Sequence, residues 1–527
     1  MSDVDSLRAQ LRDRGYLTHG IERWFALDPW SSRAFWLELT LVALKAATLI
    51  AAFAALPMTA VMLVRNAPVS AYETFALFVS YAAAWLVAVF ALVVIIALVL
   101  KVRPALPIDT PRALLAISVA AGALLVAPVA LWWSRFDTSP ATGELVIGVA
   151  LSAAYFLVAT LVVSAALLSF SIYEVRRIPA IHQKPRGVPL AVAAAALIAL
   201  LFVPAYASRE RVASEPMVVT TPTSRNVALI AVDGLTYEIF ESRPDLAHAL
   251  RATPIAAIPG DSTTERWASL GTGVRTDAHG VRAIEGVRFP GGAHILQRIS
   301  RADFVLLHGL ARREPLPPTV RRRDYLWEVV ARRGLPALAV NWWTTADVRE
   351  GALTSVGPDR IFGSAGADPV RLDNVARAAF LQRLTSAPRF ATVYLPALDV
   401  ILNRLELDRT MQLAQSLRVL DGLTRLIGEL RARGYDVVVV GLPGDGQRGA
   451  AVLASDLPLH ATSAWDVAPT LLDLLGFPLS AEMPGKSAAS TNPEPRIATY
   501  GARTSAASAT TLNQEYYDNL RSLGYIR

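Results

Sequence analysis

Residues 226–234 read NVALIAVDG. An unbroken apolar run rich in β-branched residues predicts a strand buried on both faces, from Asn226 to Val232. Asp233-Gly234 closes it with a turn signal. Working outward, Phe304–Leu307, Ala337–Val340, Ala391–Leu395 and Asp436–Val440 have the same character. Amphipathic stretches, Asp324–Arg333 and Leu413–Arg433, lie between them. Strand–helix alternation of this kind predicts an α/β domain, a mostly parallel central sheet with helices on both faces. Functional groups in such sheets gather beyond the carboxyl ends of the strands. That rule directs attention to Asp233, Asn341, Asp399 and the loop Gly441–Gly446.

The segment Ile258–Val281, IPGDSTTERWASLGTGVRTDAHGV, carries hydroxyls into a predicted helix start. The first N–H groups of a helix attract anions, and a hydroxyl placed there can attack a phosphorus whose oxygens rest on them. The fragment also has an ordinary reading, because Ser262 with Glu265 makes a capping box. Asp233 can likewise be a cation ligand or a turn residue.

Taken together, these segments resemble the alkaline phosphatase superfamily, which includes the sulfatases, and within it the type I phosphodiesterase/nucleotide pyrophosphatase branch. Thr263 stands four before Trp267, and Thr272-Gly273 and His279-Gly280 follow. The resemblance continues through Leu326-Trp327, AVNWWTT (339–345), YLPALD (394–399), WDVAPTLLDLLGFPLSAEMPGKS (465–487) and LRSLGYI (520–526). It implies an alkaline-phosphatase-like fold and catalysis by two divalent metals, usually zinc, flanking a threonine nucleophile. Carried over position by position, Asp233, Thr263, Asp399 and His460 match metal-site residues, with Thr263 the nucleophile and Thr264 its neighbouring alternative. Asn403, Asp445 and Asn341 are accessory candidates. The chain departs from the pattern at three positions. Asn403 stands where the resemblance expects a histidine, and Leu442 and Pro443 stand for an Asp-His pair. Leu and Pro have no ligating side-chain atom, so zinc would be held by too few groups. Two functions follow as expectations. One is a hydrolase or transferase acting on phosphoesters, including lipid head groups. The other is a pseudoenzyme that binds or scaffolds.

The first part of the chain is of a different kind. Of 527 residues, 53% are hydrophobic and 18% charged, and the mean hydropathy is +0.38. The apolar excess lies in residues 34–207. A span needs about 20 apolar residues, and five stretches qualify: Ala34–Val64, Tyr72–Leu100, Ala113–Trp133, Gly143–Phe170 and Val188–Tyr206. Arg and Lys concentrate in the N-terminal tail (Arg8, Arg12, Arg14, Arg23, Arg33) and after the second and fourth stretches (Lys101, Arg103, Arg112; Arg176, Arg177, Lys184, Arg186). By the positive-inside rule the N-terminus is cytoplasmic and everything after Tyr206 lies outside. The expected organisation is a cytoplasmic segment 1–33, a five-helix membrane domain 34–207, a linker 208–225 and an extracytoplasmic domain 226–527. Lys45, inside the first stretch, is a candidate functional charge. The net charge of +7 predicts a basic surface facing solvent or lipid, with no nucleic-acid motif to match it. No cysteine is present, which excludes thiolate chemistry and cysteine-ligated zinc.

Overall fold

A computed structural model describes residues 33–66, 69–102, 111–134, 146, 149–150, 152–161, 199, 223–299, 303, 307, 309–489, 496–503 and 514–526. The chain divides into two compact units. One joins residues 1–209 to 288–312, and the other joins 210–287 to 313–527.

In the first unit, α1 (Arg33–Asn66), α2 (Ala71–Val102) and α3 (Pro111–Ser134) cover the first three predicted spans. The fourth is helical over 152–161, and the fifth lies almost wholly outside the described residues. Among the described residues, one helical stretch, Ala71–Leu92, is long and apolar enough to cross a membrane, and only 22% of its apolar window is buried. Residues 288–299 are joined to the ends of α1 and α2 by polar contacts. Asn66 Oδ1 accepts the backbone N–H groups of Gln297 and Arg298 at 2.7 and 2.8 Å. Glu73, in the first turn of α2, accepts the His294 backbone N–H at 2.8 Å and pairs with its ring at 3.1 Å. Deeper along α2, the Tyr81 hydroxyl donates to Asp303 at 2.7 Å, both groups fully buried.

The second unit is built on eight strands: β1 (Val227–Asp233), β2 (Arg251–Ile255), β3 (Ala337–Val340), β4 (Val348–Glu350), β5 (Leu353–Val356), β6 (Phe390–Leu395), β7 (Asp436–Leu442) and β8 (Ala451–Ser455). Their spatial order is β2-β8-β7-β1-β6-β3-β5-β4. The five strands from β7 to β5 are parallel; β8 runs antiparallel to both of its neighbours, β7 and β2, and β4 runs antiparallel to β5. Every residue of β1, β3 and β6 is buried. Side chains alternate across a sheet, so continuous burial means helices cover both faces. The predicted helices run Leu326–Arg332 and Arg409–Ala432, and strands match four of the five predicted runs. The exception is Phe304–Leu307: Leu307 lies in a turn and residues 304–306 are outside the described set.

Register decides what the sheet presents at its carboxyl end. Asp233 pairs with Leu442 on β7, and Val232 pairs with Leu395 on β6. Three neighbouring strands therefore stop abreast, and the segments that follow them are brought together.

Candidate functional site

The segment after β6 enters a short helical turn, Ala397–Asp399, that continues as a π turn, Val400–Arg404. In an α-helix residues i+3 and i+4 return to residue i, and i+5 does not. The wider π turn, closed by Leu405 N–H to Val400 O at 3.0 Å, returns both i+4 and i+5. Asn403 Nδ2 thus donates to Asp399 Oδ1 at 2.9 Å, and Arg404 Nε to Asp399 Oδ2 at 2.5 Å.

The helix Thr263–Thr272 brings the second group. Ser262 caps it by accepting the Glu265 N–H at 3.1 Å, and Glu265 returns a bond to the Asp261 N–H at 3.0 Å. Thr263 and Arg266, three apart, share one face. Arg266 Nη2 donates to Thr263 Oγ1 at 3.3 Å, and Arg404 Nη2 donates to the same oxygen at 2.9 Å. The Thr264 hydroxyl turns to Ser262 Oγ instead, at 3.0 Å.

The third group is the loop after β7. Asp445 Oδ1 accepts from Arg266 at 2.6 Å, and Oδ2 accepts from Arg404 at 2.8 Å. Arg266 also donates to the Pro443 carbonyl at 3.0 Å. Gly444 is required by closeness: a Cβ there would lie 1.9 Å from Asp399 Oδ1 and 2.2 Å from Asn403 Nδ2. Gly234 is constrained twice over, by a φ of 80° and by a Cβ position 2.6 Å from the Asp399 backbone nitrogen.

Beneath these groups lies Asp233, with no exposed surface. Tyr394 donates to its Oδ2 at 2.8 Å, while Oδ1 is buried without a hydrogen-bond partner. Burial, then the Asp399 charge, push its carboxyl up to about 7, against the pull of Arg266 and Arg404. Burial opposes the Arg404 charge, but Tyr525, Asp399, Asp445 and Asp233 together hold its pKa above the ordinary value. Its guanidinium also stacks 4.2 Å over the Tyr525 ring.

The structure thus gathers Asp233, Thr263, Asp399, Asn403 and Asp445 around two arginines. Asn341 stands one step behind, its Nδ2 bonded to the Tyr394 carbonyl at 2.9 Å. His460 is exposed beyond β8, with its backbone N–H on Ala488 O at 3.2 Å. Arg266, Arg404, Tyr394 and Gln447 were not anticipated. Their signals were spacing alone: Arg266 follows Thr263 by one helical turn, and Arg404 adjoins Asn403.

The donor set does not fit the two metals that the resemblance implies. Both Asp399 oxygens already accept from cationic or amide N–H groups. Leu442, beside Asp233 in the sheet, has no ligating atom. Among the described residues no group of three or more His, Cys, Asp or Glu could hold a metal ion. Two guanidiniums would also repel a divalent cation placed between them.

Residues 227–442 match the family model described as type I phosphodiesterase / nucleotide pyrophosphatase. No curated protein matches the chain. Similar solved structures include phosphonoacetate hydrolase from Sinorhizobium meliloti 1021, at 13% identity and a TM-score of 0.30, over 44% of this chain and 60% of that one. Murine ectonucleotide pyrophosphatase/phosphodiesterase 5 is similar at 14% identity and a TM-score of 0.29, over 41% and 56%. The integral membrane lipooligosaccharide phosphoethanolamine transferase A of Neisseria meningitidis is similar at 13% identity and a TM-score of 0.32, over 83% and 96%. The chain therefore spans less than two thirds of the first two.

Proposed function

We propose that this chain is a membrane-anchored, phosphoester-directed protein of the alkaline phosphatase type whose site recognises its ligand through arginine rather than metal. The apolar stretches hold it in the bilayer with the N-terminus in the cytoplasm, and the domain from Asn226 onward faces outward. The exposed apolar side chains of α2, among them Phe75, Val87 and Ile95, support lipid contact.

The observation that carries the reading is Thr263 Oγ1 held between the Arg266 and Arg404 guanidiniums at a helix start. A phosphoryl group needs its oxygen charge neutralised, and the guanidinium fork matches phosphate with paired N–H donors. Arg404 is positioned for this by Asp399 and Tyr525, which fix it from either side. A lipid-borne phosphoester is the fitting ligand for such a site at a bilayer surface. Recognition is the primary role. Turnover through Thr263 is the second reading, favoured by the place of its hydroxyl at a helix start between two guanidiniums.

The test uses the full chain in detergent after chelator treatment, with p-nitrophenyl phosphate, a dianionic monoester, as probe. Calorimetric binding should survive chelation and weaken by about tenfold or more in Arg404→Gln. Release of p-nitrophenolate lost in Thr263→Ala would support the second reading. Turnover that appears only with tightly bound zinc would sink the arginine-based one.

A further inference from the structure

The Asp445 carboxylate occupies the position that the proposed reading gives to a ligand. Each of its oxygens accepts from a different guanidinium, Oδ1 from Arg266 at 2.6 Å and Oδ2 from Arg404 at 2.8 Å. The Thr263 hydroxyl approaches the same carboxylate at 3.4 Å. Three donors from two separate segments therefore converge on one anion, which is how a phosphoryl group would be held. Thr263 has no exposed surface, whereas the Asp445 side chain beside it is 41% exposed, so the carboxylate is the more accessible of the two.

The loop that carries Asp445 is built to leave. Gly444 and Gly446 flank it, and Gly446 has a φ of 76°. Gly444 N–H donates to Gln447 Oε1 at 2.7 Å, and Gln447 N–H returns to the Gly444 carbonyl at 3.2 Å. Gln447, just beyond residues 443–446, is held to the body of the domain, donating to the Gly234 carbonyl at 3.1 Å and accepting from Asn403 at 3.3 Å, so the loop would swing about this anchor and give up its Gly444 contact and the Arg266 bond to the Pro443 carbonyl. The Arg404 pairing with Asp399 and its stacking on Tyr525 do not involve the loop and would persist. Arg266, in contrast, would lose Asp445 and be free for a new anion. The Asp445 carboxylate is itself part exposed and carries a single charge, so a ligand carrying two negative charges can compete with it for the same guanidiniums.

We propose that residues 443–446 form a lid whose Asp445 carboxylate competes with the ligand's tetrahedral oxyanion for Arg266, Arg404 and Thr263, so that the present arrangement is self-blocked. This rests on the arginine site proposed above. The ligand chemistry is a dianionic phosphate or phosphomonoester, free or on a lipid head group.

The experiment titrates the full chain in detergent, at low salt, with inorganic phosphate. Asp445→Asn and Asp445→Ala should bind about threefold to tenfold tighter than the unmodified chain, the scale of two part-exposed ion pairs. Arg404→Gln and the milder Arg266→Gln should lose binding. Vesicles of phosphatidylcholine with and without phosphatidic acid distinguish a head-group phosphate from a free one; the gain in the Asp445 variants should appear with the source that binds. Unchanged or weaker binding in both Asp445 variants, while the arginine variants still lose it, overturns the lid and leaves the anion site standing. No phosphate or phosphatidic acid binding in any variant, or binding indifferent to both arginine changes, overturns the site and the lid together.

Discussion

Arg404 meets acceptors from three segments: Asp399 on its own turn, Thr263 at a helix start and Asp445 on a loop. A charged side chain with so little exposure is stable only when each donor is placed, so its neighbours are constrained as tightly as it is. Gly444 shows this. In Gly444→Ala the new methyl would overlap Asp399, and the loop must move. A loss of about 1–3 kcal/mol is expected, seen as a lower Tm in thermal denaturation. An unchanged Tm would mean that the loop does not hold this position. Asp373 tests burial instead. Its Oδ1 accepts the Ala397 N–H at 3.1 Å while Oδ2 is unpaired, and burial pushes its carboxyl up to about 7, with the Ala397 bond and Arg377 opposing. The folded protein therefore holds a proton that the unfolded chain has released between about pH 4 and 7. Stability falls as pH rises through that window and is level above it. Asp373→Asn keeps the acceptor and removes the titration, so it should raise stability most above pH 7, by on the order of a few kcal/mol, read as a higher Tm. Equal pH slopes for the two proteins would contradict this. Asp233, Thr263 and Asp399 were legible in the sequence because each sits at a strand end or helix start. Arg404 was not, because its role depends on a π turn that spacing rules for an α-helix do not anticipate.

Among the elements, residues 288–299 behave least as reading along the chain would place them. They interrupt the α/β domain in sequence yet belong with α1 and α2 in space. The tie is made by Asn66, which satisfies two successive backbone N–H groups, and by Glu73, which caps α2 and takes His294. Removing a side chain that serves two part-buried donors costs about 1 kcal/mol or more. In Asn66→Ala, amide hydrogen exchange at Gln297 and Arg298 should accelerate by about tenfold or more, while amides of β1 and β6 keep their protection. Unchanged exchange at those two amides would refute the tie. Nothing in the local pattern of 288–299 signals this docking, since its partners lie more than two hundred residues away.

For the whole molecule, two consequences follow from the proposed arginine site and the proposed membrane anchor. Zinc should bind substoichiometrically by elemental analysis, and adding it should leave Tm unchanged, because a ligand stabilises only what it binds. Two tightly held zinc ions per chain would require a ligand set other than the one assembled here. Sidedness is testable because the chain has no cysteine of its own. A membrane-impermeant maleimide should label Arg418→Cys, an exposed position, on intact cells, and Ser6→Cys only after lysis. The reverse would invert the proposed topology. The sequence by itself determined the division into an apolar first part and an α/β domain, the central strands and the candidate acidic and hydroxyl groups. Those are local properties: hydrophobic run length, periodicity and turn residues act over a few neighbours. Only the tertiary structure decided that Arg266 and Arg404 stand among those groups and that Asp445 pairs with both beside Thr263. Strand register and a π turn bring residues 233, 263, 399 and 445 to one point, and no local pattern encodes which cations meet there.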